Sequence, residues 1–157
     1  MRNARLRALA AGEISIGSDV AVGKRAQVSA PDFFSVRDRV RIGQDFLCEV
    51  NADISSDVLI SSRVSFIGND HSLEDVGTIF DSSRLPSATV RLLGDNLIGH
   101  GTVILGNVVI GRGAIVGAGS LVTGDLPDGW ICYGRPAKPQ KPRASSASAN
   151  LGRGGAI

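Results

Sequence analysis

Apolar residues recur every six positions over the second half of the chain. The branched aliphatic members of this series are Ile98, Ile104, Ile110, Val116 and Val122. A period of six matches neither the 3.6-residue turn of a helix nor the two-residue alternation of a strand. It is typical of a hexapeptide β-helix, in which each hexad forms one short strand and a turn, and three hexads close a triangular coil. The pattern therefore predicts an all-β fold, a parallel β-helix with a column of aliphatic side chains inside each edge.

The same period is present in the first half of the chain. One run contains Ile16, Val22, Val28 and Phe34, and after a slip of two residues a second run contains Val36, Ile42, Cys48, Ile54, Ile60 and Phe66. The slip predicts a bulged corner near residues 33–36, because Pro31 and Asp32 are poor strand formers.

The period is interrupted once at length, between Gly68 and about Thr89. This segment is polar and too long for a single turn, and insertions between repeats often carry function. We expect about five coils, three before this excursion loop (about 68–89) and two after it. At a strand spacing of ~4.8 Å they form a prism on the order of 25 Å tall.

The remainder of the chain is expected to lie outside the β-helix. Residues 123–143 contain four prolines and are predicted to leave the last coil. We expect one domain over residues 1–143. Residues 144–157 are rich in Ser, Ala, Asn and Gly, a composition typical of a disordered tail.

Composition excludes several classes of function. The net charge of +2 gives no nucleic-acid-binding surface, and no apolar stretch is long enough for a signal peptide or a membrane span. The 20 glycines and the aromatic content of 4% suit a narrow prism whose corners need positive φ. Cys48 and Cys132 match no metal or redox spacing, so we expect reduced thiols and a cytoplasmic protein.

The two histidines are the first candidates for chemistry. His71 lies at the root of the excursion loop, in the polar segment 68–71 and outside the aliphatic columns. An imidazole can take a proton from a hydroxyl at neutral pH, and Asp70, Glu74 and Asp75 are close enough in sequence to orient it. On position alone, a general base and a surface histidine without a task are equally good interpretations.

His100 occupies an outward corner of its hexad, where it is either a solvated turn residue, part of a ligand groove or a second catalytic group. Lys138, Lys141 and Arg143 follow the last hexad, either as a solvated basic tail or as partners of a phosphorylated ligand. The glycine-rich run 111–119 lacks the lysine and helix of a nucleotide-binding loop, so its glycines are assigned to hexad corners.

The chain resembles a known family. The loop histidine, the run ILGNVVIGRGAIVGAGSLVTGDLP and the ending YGRPAK are similar to the hexapeptide-repeat O-acetyltransferases that use acetyl-CoA. This group includes the maltose, galactoside, nodulation-sugar and serine acetyltransferases, and the likeness covers roughly residues 42–142. It implies a left-handed helix, a homotrimer with sites between subunits, acetyl-CoA as co-substrate and no required metal. It also implies that His71 deprotonates the acceptor hydroxyl, which then attacks the thioester.

The resemblance assigns further residues by position. On the donor side the matching positions are His100, Ala118, Thr123 and Gly124 along the pantetheine arm, with Lys138 and Lys141 near the nucleotide phosphates. On the acceptor side they are Glu49, Asn69 and Asp70.

The departures from the family concern both sides. Leu97 replaces a usual tryptophan, Gly124 a common lysine, and Glu49 an asparagine that helps to hold the sugar. The helical N-terminal segment of the maltose and galactoside enzymes is also missing. Apart from Leu97 and Gly124 the donor site matches the family, whereas the acceptor cannot be transferred from those relatives.

The resulting interpretation is acetyl transfer from acetyl-CoA to a hydroxyl of a sugar or glycan precursor. Two alternatives stay open: N-acetylation of an amino sugar, and a β-helix scaffold without activity. A carbonic anhydrase is disfavoured, because its zinc needs three histidines and this chain has two.

Overall fold

The structure is a computed structural model of the 157-residue chain and describes residues 7–8, 12–68 and 70–144. Apart from a 3₁₀ turn at Ile79–Asp81, the elements in these ranges are all strands. They are β1 (Arg7–Ala8), β2 (Glu13–Ile16), β3 (Val20–Val22), β4 (Gln27–Val28), β5 (Phe33–Val36), β6 (Val40–Ile42), β7 (Leu47–Cys48), β8 (Asn51–Ile54), β9 (Val58–Ile60), β10 (Ser65–Ile67), β11 (Thr89–Leu92), β12 (Leu97–Ile98), β13 (Val103–Leu105), β14 (Val108–Ile110), β15 (Ile115–Val116), β16 (Leu121–Val122), β17 (Trp130–Gly134) and β18 (Ala137–Pro142).

The strands form three sheets that wrap one core. Sheet A has the order β1-β4-β7-β10-β13-β16, sheet B the order β2-β5-β8-β11-β14, and sheet C the order β3-β6-β9-β12-β15-β17-β18. Consecutive strands from β2 to β16 belong to different sheets, so every three strands close one triangular coil. Five complete coils result, three before the excursion loop and two after it, which confirms the predicted parallel β-helix.

The six-residue period corresponds to the inward columns. Phe66 pairs with Ile104 and Ile104 with Val122, and all three side chains are completely buried. Aromatic rings fill the middle of the prism, where Phe46 and Phe66 meet edge to face with ring centroids 5.1 Å apart. Full burial of each such side chain contributes on the order of 1.5–3 kcal/mol. The hexads therefore supply the core of the whole solenoid.

The bulged corner lies just before the predicted position. Residues 33–36 form a regular strand, and the extra residues stand ahead of it, at residues 30–32. The buried Asn51 side chain stabilises this corner: its Oδ1 accepts from the backbone N–H of Asp32 at 2.8 Å and of Phe33 at 3.2 Å, and its Nδ2 donates to Asp32 Oδ2 at 2.8 Å. The Asn51 amide thus provides a hydrogen-bond acceptor for two backbone N–H groups that the wider corner leaves without a partner in the sheet.

The segment after Val122 stays in the solenoid longer than predicted. Leu126 bridges Ile110 in sheet B, and β17 then pairs with β15, so that Cys132 continues the inward column of Val116. This coil is 16 residues long, against 18 in its neighbours, and a strict count of six therefore misses it. The chain reverses only after β17, where β18 pairs antiparallel and covers the end of sheet C.

Two of the three corners carry most of the candidate residues from the sequence analysis. The A–B corner, between sheet A and sheet B, comprises residues 29–32, 49–50, 68–88, 106–107 and 123–125. The C–A corner, between sheet C and sheet A, comprises residues 23–26, 43–46, 61–64, 99–102, 117–120 and 135–136. The excursion loop leaves the prism at the A–B corner, and both corners border the outward face of sheet A.

Candidate functional site

A glycine directs the chain out of the prism. Gly68 has φ +146, and a Cβ at this position would lie 2.8 Å from both the Cα and the backbone nitrogen of Gly106 in the next coil. The backbone N–H of Gly106 in turn donates to the carbonyl of Ile67 at 2.9 Å. The start of the excursion loop therefore packs directly against the backbone of the next coil.

The base of the excursion loop is a short antiparallel ribbon. Ser72 N–H donates to Ser83 O at 2.7 Å, Leu85 N–H donates to Asp70 O at 2.9 Å, and His71 is bridged to Arg84 between them. Because each strand of the ribbon restrains the other, His71 is held on a structured element three residues beyond Gly68.

Ser82 orients the imidazole of His71. The Nδ1 atom lies 3.0 Å from the backbone carbonyl of Ser82 and 3.0 Å from its Oγ, whose own proton is donated to Ile79 O at 2.7 Å. A carbonyl oxygen can only accept, so Nδ1 carries the proton. The lone pair is then on Nε2, the protonation state that a general base requires.

The Asp75 carboxylate stabilises the loop, and none of the three nearby carboxylates forms a hydrogen bond or an ion pair with the imidazole. Asp75 Oδ2 accepts from Ser83 Oγ at 2.7 Å and from Ser83 N–H at 2.5 Å, and these hydrogen bonds lower the pKa of Asp75. Glu74 donates its backbone N–H to Ser72 Oγ, and Asp70 accepts only through its carbonyl. The expectation that one of these carboxylates orients His71 is therefore wrong, and the sequence carries no signal for Ser82, eleven residues further on.

The predicted acceptor residues lie at the A–B corner. Glu49 is exposed in the coil before the loop, where its N–H donates to Phe66 O at 2.9 Å. Asp70 is exposed immediately before His71. The structure thus brings Glu49 and Asp70 to the corner that carries the imidazole, while Asn69 lies outside the described residues.

The predicted donor residues divide between the two corners of sheet A. His100 and Ala118 are exposed on adjacent coils of the C–A corner, where Gly119 N–H donates to His100 O at 2.8 Å. Thr123 and Gly124 are exposed at the A–B corner, directly after β16.

The outward face between these corners is apolar. It presents Val103, Leu105 and Leu121, which are half-buried. An extended ligand that lies across this face reaches both groups of donor residues.

The predicted basic residues are less close together than their sequence spacing implies. Lys138 pairs with Tyr133 next to the C–A corner, whereas Lys141 pairs with Ile131, further along β18. The structure adds a cation that the sequence analysis did not single out: Arg135, whose guanidinium donates to Gly119 O at 3.3 Å. Its position depends on the chain reversal after β17, which the hexad count does not predict.

The excursion loop carries strongly exposed apolar side chains. Leu73, Val76 and Phe80 are 88%, 104% and 93% exposed, although large apolar side chains usually pack against something. Leu59 and Leu97 on the outward face of sheet C are also exposed. The loop surface lies at the A–B corner and the leucine surface lies on sheet C, so that sheet A stands between them.

The described part of the chain contains neither a cluster of metal-binding side chains nor a helix that could span a membrane. No three histidine, cysteine, aspartate or glutamate side chains are grouped so that they would hold a metal ion. None of the helical segments in the same ranges is long and apolar enough to cross a bilayer.

Known proteins share the repeat and the fold. Residues 90–124 match the family described as bacterial transferase hexapeptide (six repeats). A probable acetyltransferase of Mycobacterium tuberculosis is 30% identical over 142 residues, which are 88% of this chain and 47% of that protein. The galactoside O-acetyltransferase of Escherichia coli is 29% identical over 125 residues, which are 74% of this chain and 61% of that protein. The chain thus spans about half the length of these relatives.

A solved structure extends the likeness to almost the whole chain. AntD, an N-acyltransferase from Bacillus cereus solved in complex with dTDP and 3-hydroxybutyryl-CoA, superposes with a TM-score of 0.77 at 25% identity. The superposition covers 93% of this chain and 80% of the AntD chain.

Proposed function

The chain is a hexapeptide-repeat protein of the bacterial transferase family, and from this premise we propose that it is a CoA-dependent acyltransferase. The reaction moves an acetyl group from acetyl-CoA to a hydroxyl of a sugar or glycan precursor. The observation that carries the proposal is the orientation of His71, whose protonated Nδ1 is bound to Ser82 and whose Nε2 is left to accept a proton.

In this mechanism His71 acts first as a base and then as an acid. Nε2 takes the proton of the acceptor hydroxyl while the oxygen attacks the thioester carbonyl, and the Ser82 carbonyl stabilises the imidazolium through Nδ1–H. The tetrahedral intermediate then breaks the C–S bond, and the departing thiolate takes the proton back from Nε2. A backbone N–H of a neighbouring coil is our candidate donor to the oxyanion.

The face of sheet A is the proposed donor groove. His100, Ala118, Thr123 and Gly124 border it, and its apolar side chains suit the pantetheine arm. Lys138 and Lys141 are the proposed partners of the nucleotide phosphates. The position of Arg135 on the C–A corner supports adding it to this set.

A double substitution tests the phosphate contacts. Replacing Lys138 and Lys141 by alanine is expected to weaken the binding of CoA more than that of dephospho-CoA, because the 3′-phosphate is missing from the latter. Isothermal titration measures both affinities, and Lys24→Ala, an exposed lysine in the first complete coil, is the control. Equal losses for the two ligands would contradict a contact with the 3′-phosphate.

We propose a homotrimer with its sites between subunits. The exposed side chains of Val76 and Phe80 and the apolar outward faces of the prism are two different surfaces of one chain. When two different surfaces of identical subunits bind each other, the interface is heterologous. Such an interface forms a closed ring if the rotation that relates neighbouring subunits divides a full turn evenly. Light scattering is expected to give the mass of three chains, and Phe80→Ser with Val76→Ser to give monomers. A fully active monomer would contradict this assembly.

The alternative acceptor is an amino sugar. AntD, which the fold resembles most fully among the proteins described above, is an N-acyltransferase, and this likeness supports N-acetylation as the second candidate. Matched pairs of sugars that differ only by a hydroxyl or an amine at one carbon separate the two reactions.

We place the reaction in the cytoplasm, a location that two free, buried cysteines support.

The base is tested by His71→Ala. Loss of a general base is expected to reduce turnover by about 10²–10⁴-fold, while the affinity for CoA, measured by titration calorimetry, stays within a few-fold. Release of free thiol with a panel of sugar acceptors measures turnover. Undiminished turnover in this variant would refute the assignment, and a wild-type protein that neither binds CoA nor releases thiol would be a scaffold.

A further inference from the structure

An arginine stands opposite the proposed base. His71 and Arg84 form the bridge of the antiparallel ribbon, so their side chains project from the same face with Cβ atoms about 4.5–5.5 Å apart. The Arg84 side chain is exposed, and within the described part of the chain its guanidinium has neither a hydrogen bond nor an ion pair. Four other arginines, those at 25, 39, 41 and 143, are paired with aspartates.

None of the described acidic residues of the loop forms an ion pair with Arg84. Asp70 precedes His71 in the extended ribbon, so its side chain projects from the opposite face. Asp75 is engaged by the next ribbon residue, Ser83, and Asp81 Oδ2 accepts from Thr78 Oγ1 at 2.5 Å. The bridge therefore places the Arg84 side chain on the same face of the ribbon as the imidazole, beside the space in front of His71 that the proposed acceptor would occupy.

We propose that Arg84 forms an anion subsite of the acceptor pocket, and that the natural acceptor carries a phosphate or carboxylate close to the group that is acylated. This inference rests on the proposed function and adds the substrate class to it. The planar guanidinium donates two parallel hydrogen bonds to either anion, and this geometry favours arginine over lysine. Arg84 is a specificity residue: it holds the acceptor, while His71 carries out the proton transfer.

The experiment compares acceptors that share one sugar ring and differ in a single neutral or anionic substituent. A neutral hexose, its uronate and its phosphate monoester are each assayed with the wild type, Arg84→Gln, Arg84→Lys and the control Arg91→Gln. Arg91 is an exposed arginine on β11, on the outward face of sheet B, and it forms no ion pair with any described residue of the loop. Thiol release gives kcat and KM for the acceptor and for acetyl-CoA, and calorimetry gives the affinity for CoA.

We expect the wild type to prefer an anionic acceptor by on the order of 10–100-fold in kcat/KM, the value of hydrogen bonds to a charged group. In Arg84→Gln this preference disappears through a higher KM for the anionic acceptor, while the KM for acetyl-CoA and the rate with the neutral hexose are unchanged. Arg84→Lys recovers part of the preference, and Arg91→Gln behaves as the wild type. The better of the two anionic acceptors identifies the anion as phosphate or carboxylate.

Two outcomes separate failure of this inference from failure of the proposed function. CoA binding with turnover of neutral sugars only, or an equal loss for all acceptors in Arg84→Gln, would overturn the anion subsite and leave the acyltransferase intact. Absence of both CoA binding and turnover in the wild type would overturn both proposals.

Discussion

A methyl group added at Gly68 tests whether the root of the excursion loop sets the position of His71. The added Cβ would lie 2.8 Å from the Cα and the nitrogen of Gly106, and both atoms belong to the backbone, so no side chain can rotate away. Gly106 supplies the matched control. It also has a positive φ, +84, but a Cβ at that position would meet nothing within 4 Å.

The two variants share one cost and differ in another. A positive φ costs an alanine about 1–3 kcal/mol at either position, and the backbone clash at position 68 adds to this cost, so both variants are expected to lower the free energy of unfolding, Gly68→Ala by more. Only the Cβ at position 68 has to move the chain, by roughly half an ångström, to reach an ordinary van der Waals distance. Because a misplacement of about 1 Å costs on the order of 10²-fold in rate, we expect kcat to fall roughly 10–100-fold in Gly68→Ala and at most a few-fold in Gly106→Ala.

Urea denaturation measures the stability of both variants, and steady-state assays well below their unfolding transitions measure kcat and the KM for acetyl-CoA. The proposed donor residues lie on the prism and not on the loop, so this KM is expected to stay near its wild-type value in Gly68→Ala. The reasoning is refuted if Gly68→Ala loses stability but keeps its kcat, because the loop would then absorb the displacement before it reaches His71.

Three smaller predictions concern single side chains. Ser82→Ala removes one of the two acceptors of the His71 Nδ1 proton and keeps the carbonyl, so kcat is expected to fall about 2–10-fold, the value of one hydrogen bond, in thiol-release assays. The pKa of Asp75 is lowered in the folded state, so its carboxylate stabilises the loop fully above the unfolded pKa of about 3.9. This stability is lost as the pH falls through the lower folded pKa. Hydrogen exchange should therefore show that protection of the loop amides vanishes in acid, and that it is already lost at neutral pH in Asp75→Asn. Burial raises the pKa of Cys48 to about 12 and also raises that of Cys132, so an aromatic disulfide reagent at pH 8 should detect neither thiol before unfolding and both after it.

The fold is largely predictable from the sequence because each hexad has to place one aliphatic side chain inside the prism. The prediction fails where the coil length changes. The corner before β5 is wider and depends on the side chain of Asn51, and the last coil is shorter yet keeps Cys132 in the column above Val116. Neither change alters the hydrophobic pattern within a strand, so a fixed period of six does not detect them.

Contrary to the expectation from the sequence, the corners with positive φ are not all occupied by glycine. In the second half of the chain Gly101, Gly113 and Gly119 have positive φ, as expected, but in the first half charged residues adopt the same conformation. Arg25 and Asp45 stand at such corners and pair across adjacent coils at 2.5 Å. Such a pair forms only because residues 20 apart in sequence stack on adjacent coils. Local turn propensities carry no information about this stacking, so they do not predict which charged residues adopt the positive φ.

The position of the candidate base is predictable, but its partner is not. His71 is identified by the break in the repeat, since a histidine at the root of a long insertion belongs to no core column. Ser82 reaches His71 only because the loop folds back on itself as a ribbon, and Asp75 holds that ribbon through Ser83. Such contacts within an irregular loop depend on the whole loop conformation and leave no periodic signal.

The register of the coils shows why chemistry and stability are separable in this fold. Ala52 pairs with Val90 and Phe66 pairs with Ile104, so the coils before and after the loop stack as though no residues were inserted. The core is therefore built by the coils, and among the described loop residues only Ala88, at the end of the loop, contributes a side chain to it. The proposed donor residues, in contrast, lie on the prism and are tied to its register. Substitutions of exposed loop side chains beyond Gly68 should consequently alter the acceptor range with little loss of stability, whereas changes in the corner backbone that carries the proposed donor residues should affect stability and CoA binding together.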